Sequence, residues 1–209
     1  LCVAGAWLTR EIEGDWFAWH TRFGYAVLLL VATRVLWGIV GTRHARFSSF
    51  VRGPVAILSY LRGDRAAASS APVGHNPLGA LMVLALLGLL LIQAVTGLFA
   101  NDQIMETGPL FGYVSSTLSD QLTTVHKQVF DIILAAIFIH VAAALFYLWV
   151  KRDNLILPML TGRKAANRVP AGEEIRSSRT AVALAILIAL GAVLYWVIST
   201  APEAMLFSY

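Results

Sequence analysis

Four apolar stretches, roughly Trp16–Val40, Leu78–Ala100, Thr124–Val150 and Thr180–Thr200, are each long enough to cross a bilayer as a helix. A spanning helix takes about 20 predominantly apolar residues. These stretches predict an all-α integral membrane helical bundle with four complete transmembrane helices. A fifth stretch, Leu1–Thr9, is apolar but too brief to span, and it starts with Leu rather than Met. It reads as the tail of a truncated first helix whose body lies upstream. Composition agrees with the membrane reading. Of 209 residues, 58% are apolar and 13% charged, against about 45–50% and 25% in soluble domains. That excludes a water-soluble enzyme, and it excludes disorder for the same reason. No segment resembles a cleavable signal.

Charge gives the expected orientation. Arg10–Asp15 carries Arg10 against Glu11, Glu13 and Asp15, a net of −2. Gly41–Asn76 carries five arginines against Asp64, a net of +4, and Asn101–Leu122 carries three acids and no base. Lys151–Arg179 returns to +4. Basic loops stay on the cytoplasmic side, so the acidic loops and the C-terminus are expected on the periplasmic side of a bacterial inner membrane. The basic residues thereby lie beside anionic headgroups, which removes nucleic acid as a partner and leaves membrane lipid. Trp7, Trp16, Trp19, Trp37, Trp149 and Trp196 fall near span ends, as interfacial anchors do. Arg65–Gly74 and Arg163–Ser178 read as linkers.

Ionisable residues inside spans are costly and mark function. The first complete span holds His20, Arg22 and Arg34, the third holds His126, Lys127, Asp131 and His140, and the second offers only Gln93. His126 and His140 are 14 residues apart, so they share one helix face and lie about 21 Å apart along the axis. That spacing is too long for a catalytic pair or for an i,i+4 metal site. It fits two haems stacked across the bilayer, each held by one of these histidines and one from a neighbouring helix. His20 starts its span at the depth of His126, and two imidazoles from facing helices make a six-coordinate iron site. The alternative is that these are structural histidines bonded to neighbouring helices. Arg34 lies 14 residues after His20 and faces either a haem propionate or the cytoplasmic headgroups. Lys127 and Asp131 are spaced for an i,i+4 pair. His44 and His75 read as interfacial residues. Gly24 and Gly97 let a ring or a helix approach closely. The single cysteine, Cys2, allows no disulfide within the chain, and CxxCH, GxGxxG, P-loop and HExxH motifs are absent.

Three stretches carry a family resemblance: WHTRFGYAVLLLVATRVLWGIVGTRHARFSSFVRGP at Trp19–Pro54, GHNPLGALMVLALLGLLLIQAVTGLFANDQI at Gly74–Ile104, and the helix from Val125 to Asn154 with its two histidines. The chain resembles the bacterial b-type cytochromes of the nickel–iron hydrogenase cytochrome subunit and cytochrome b561 group. The resemblance implies a four-helix bundle over residues 1–162 holding one or two b haems, a linker over 163–178, and an additional C-terminal helix over 179–209. It implies that His20 and His126 ligate the iron of an outer haem. It also implies that His140 ligates an inner one, whose second ligand lies upstream of Leu1. The implied function is electron transfer between the quinone pool and a periplasmic partner, a c-type cytochrome or a hydrogenase-like subunit. Quinone is then an exchangeable substrate. Two other functions fit the same residues: a stand-alone oxidoreductase passing electrons from superoxide to quinone, and a haem-free membrane anchor or transporter.

Overall fold

Each long apolar stretch is a helix in the computed structural model, which describes residues 1–12, 16–63, 76–104, 106–162, 169, 172, 175 and 177–202. Among these residues there is no strand, only an isolated bridge between Asn101 and Thr107. Helix α1 covers Cys2–Glu11, α2 Phe17–Val40, α3 Phe47–Phe50, α4 Pro54–Leu61, α5 Pro77–Leu98, α6 Ser116–Trp149, α7 Ile156–Thr161 and α8 Thr180–Ser199. Four of them, α2, α5, α6 and α8, are long and apolar enough to cross a membrane. Their surfaces are largely outward-facing, with side chains such as Ile39, Phe138 and Ile188 well exposed. Apolar exteriors of this extent are stable against lipid, where the backbone must bond within each helix. The Arg65–Gly74 linker and His75 lie outside the described residues, as does most of Arg163–Ser178.

The chain divides into two compact units, one of Leu1–Leu36, Leu87–Ile133 and Thr180–Tyr209, the other of Trp37–Leu86 and Leu134–Arg179. In the first unit Val27, Val31 and Ala94 form the buried core, packed by Cys2, Val3, Leu28, Val35, Leu87 and Leu90. Gly5 brings α1 onto α2, since a Cβ there would stand 2.7 Å from Cζ of Phe23. In the second unit the connection after α2 is built around Phe50, which is almost wholly buried. Gly53 and Pro54 start α4, Pro having its φ preset for the first helical position. Asn76 caps α5, its Oδ1 accepting the Gly79 amide at 2.7 Å. The Asn76 Nδ2 donates to the Tyr147 hydroxyl at 2.9 Å, and that hydroxyl lies 2.8 Å from the Tyr60 hydroxyl. Gly162, at φ 65°, ends α7 in the left-handed conformation that glycine adopts without a Cβ penalty.

One element is longer than the sequence implied. Asn101–Leu122 reads as an acidic loop, yet α6 begins at Ser116, eight residues before the expected Thr124. The polar residues here serve a helix start. The Ser115 hydroxyl accepts the Leu118 amide, an N-cap bond. Ser119 is fully buried. Its Oγ donates to the Phe99 carbonyl at 2.7 Å and accepts from Asn101 Nδ2 at 2.5 Å. Asn101 also donates its backbone amide to Thr123 Oγ1 at 2.9 Å. The end of α5 is stapled to the first two turns of α6, and the returning chain bonds its last carbonyls through the Gly108 and Leu110 amides. These bonds fix the axial register of α5 against α6. Replacing Ser119→Val leaves the Phe99 carbonyl and an Asn101 donor without their buried partner, at a cost of about 1–3 kcal/mol. Thermal unfolding in detergent is expected to show Tm lowered by roughly 3–10 °C, while Ser116→Ala, on the exposed face of the same turn, leaves Tm unchanged.

Candidate functional site

His20 lies one turn into α2, against Phe17, whose ring stacks on it at 5.9 Å and 18°. Its Nδ1 is 2.8 Å from the Ala6 carbonyl oxygen of α1. A carbonyl only accepts, so Nδ1 carries the proton and Nε2 presents a lone pair. Among the described residues nothing hydrogen-bonds that Nε2. His126, on α6, is held in the same way, its Nδ1 2.9 Å from the Gln93 carbonyl oxygen on α5. The Thr96 hydroxyl donates to the Ile92 carbonyl at 2.7 Å, so towards His126 Nδ1, 3.3 Å away, it is an acceptor too. Both rings are therefore the Nδ1–H tautomer. Gly97 makes the seat: a Cβ there would stand 2.8 Å from His126 Cε1. The His20 and His126 ring centroids are 6.2 Å apart, with their planes 74° apart.

An ion clamped between two imidazoles at ~2 Å on each side leaves the ring centroids roughly 6 Å apart. Among the described residues no group of three or more His, Cys, Asp or Glu could hold an ion, so a closed four-ligand protein site is not available here. The donor set suits a metal whose remaining ligands come from a macrocycle. Gly24 is one turn on from His20, and a Cβ there would meet nothing within 4 Å. The residues fit a haem iron with two axial imidazoles.

The other sequence candidates are spread along the same helices. Arg34 is a partly buried residue of α2 in the first unit. His140 is a partly buried residue of α6 in the second unit. Lys127 and Asp131 are exposed, and among the described residues no ion pair joins them. Arg22 sits 4.8 Å from the Trp19 ring centroid. Trp7, Trp16, Trp19, Trp149 and Trp196 are all exposed. The sequence reading missed two supports of the site, the Ala6 carbonyl and Thr96. The signal available was the Gln93, Thr96, Gly97 spacing, which puts a polar side chain, a hydroxyl and a gap on successive positions of one helix face. Gln93 was visible as the one polar side chain singled out in its span, but its contact with His126 was not.

The family model described as prokaryotic cytochrome b561 matches residues 1–162. The match ends at Gly162, the residue that closes α7, and leaves α8 outside it. No match to the chain was found among curated proteins or among solved structures. The family match spans more than half of the 209 residues and agrees with the apolar helices. The chain belongs to the prokaryotic cytochrome b561 family, and is a multi-pass bacterial membrane protein that binds b-type haem and works in electron transfer.

Proposed function

We propose that this cytochrome passes electrons between the membrane quinone pool and a periplasmic redox partner, a c-type cytochrome or a hydrogenase-like subunit. The observation that carries the reading is the approach of His20 and His126, with both Nδ1 protons committed to main-chain carbonyls. In this reading His20 and His126 would hold the iron of one b haem near the periplasmic surface, and His140 would be one ligand of a second. Arg34 is the cation facing a propionate on the cytoplasmic side. Bound b haem supplies a one-electron iron couple whose potential follows from ligand type, burial and nearby charge. The chain's residues do the rest. Ala6 and Gln93 hold the imidazoles by Nδ1 and leave Nε2 as the nitrogen each would offer to iron. With two imidazoles as its ligands, the bound haem would carry electrons rather than bind and transform a molecule. The alternation of acidic and basic loops supports placing the α5–α6 connection, and with it this histidine pair, on the periplasmic side.

A pyridine haemochrome assay combined with protein determination tests the ligand set. His126→Ala and His20→Ala are each expected to remove one haem per chain, and His140→Ala removes a different one. Unchanged haem content in both His126→Ala and His20→Ala refutes the reading. The space at Gly24 gives a second check. A Cβ at Gly24 meets nothing within 4 Å, and Gly24→Leu is expected to leave the stability of the haem-free protein intact while lowering haem occupancy severalfold. Full occupancy in that variant puts the haem elsewhere.

A further inference from the structure

Gln93 sits in an otherwise apolar stretch of α5, and its side chain reaches the ligating atom of His126. Its Nε2 lies 3.1 Å from His126 Nε2, while its own carbonyl oxygen lies 2.9 Å from His126 Nδ1. One residue thus holds both ring nitrogens. An amide nitrogen only donates, so His126 Nε2 accepts, in agreement with the tautomer that the carbonyl fixes at Nδ1. The other end of the same carboxamide is in a poor position: Oε1 is buried and has no hydrogen-bond partner. Flipping the amide does not help, because its oxygen would then face the lone pair of Nε2. A buried amide oxygen without a donor is costly, and a leucine of similar size would fill the space without that cost. The carboxamide is held beside the ligating nitrogen at the expense of its own oxygen.

From this the geometry points to Gln93 as a placeholder for the metal at His126. In the haem-free chain its amide occupies Nε2 and keeps the ring in the tautomer and orientation that iron requires. With His126 ligating iron through Nε2, the amide would have to leave that nitrogen, while the Gln93 carbonyl would keep its bond to Nδ1. Gln93 is then a positioning residue, and the inference rests on ligation by His126. The role has a sign. A hydrogen bond present only in the haem-free chain opposes loading by its own net worth, so its loss favours haem binding. A residue that merely supported the fold would act in the opposite sense, its loss weakening binding.

The test is haem titration of the haem-free chain in nanodiscs, wild type against Gln93→Leu, with nitrogen NMR of histidine-labelled haem-free protein. Gln93→Leu is expected to bind haem about three- to tenfold more tightly, the equivalent of one net hydrogen bond. The wild-type spectrum is expected to show a protonated Nδ1 and a hydrogen-bonded, unprotonated Nε2 at His126. The Nε2 resonance should move towards the free-acceptor position in the variant. Equal or weaker haem binding by Gln93→Leu overturns the inference. If that variant does not fold, the wild-type spectrum decides alone, and a protonated Nε2 there is fatal. Failure of the underlying ligation is seen separately, as full haem content in His126→Ala.

Discussion

A carbonyl that already belongs to a helix can accept a second donor, and at this site two of them accept from imidazoles. Ala6 O, within α1, takes the His20 ring. Gln93 O, within α5, takes the His126 ring. In hydrocarbon a bare ring N–H has no water to turn to, so a main-chain acceptor is its stable partner. The bond settles three things together: which nitrogen is protonated, which way the ring faces, and how basic the remaining nitrogen is. The placement of two unprotonated Nε2 atoms on facing helices follows from those carbonyls, the one on His126 being bonded by the Gln93 amide.

Such precision requires that the helices themselves cannot slide. Small residues set the separation, since Gly5 admits the Phe23 ring and Gly97 admits the His126 ring. Hydrogen bonds set the register, through Ser119, Asn101 and Thr123 at the α5–α6 junction. Ser119 precedes His126 by two turns of α6, so a fault at that staple is transmitted along a rigid rod to the ring. Apolar packing alone specifies little here, because lipid tails compete on equal terms with leucine for the same surfaces. The few polar contacts therefore carry more of the specificity than they would in a soluble bundle.

The long helices were legible because apolar runs of this length leave the backbone one solution in a membrane. The meeting of His20 and His126 was legible too, since helical rise and span ends give each its depth. The first two turns of α6 were hidden. Ser116, Ser119, Asp120 and Thr123 look like loop residues when hydropathy is the signal, yet Ser119 is buried and bonded on both sides. The Gln93 contact was hidden for another reason: it depends on the reach of a flexible side chain around a ring, and that is set by tertiary approach rather than by period. The oxidoreductase and anchor alternatives were indistinguishable in composition. The family match, to haem-binding membrane cytochromes, favours a haem protein over a bare anchor.

Electron transfer asks little of a protein beyond constancy. A ligand set that keeps its geometry as iron changes charge loses little energy to rearrangement, and the surest way to hold a ring still is to bond the nitrogen that the metal does not use. The Nδ1 bonds of His20 and His126 end on main-chain atoms of helices, which are the least mobile acceptors available. Any adjustment between haem-free and haem-bound chain is then left to a side chain. At Gln93 the backbone carbonyl and the carboxamide belong to one residue, so the fixed contact and the movable one are separated by three side-chain torsions. In the proposed ligation only the carboxamide would have to move, while the carbonyl contact and the helices α5 and α6 would stay in place.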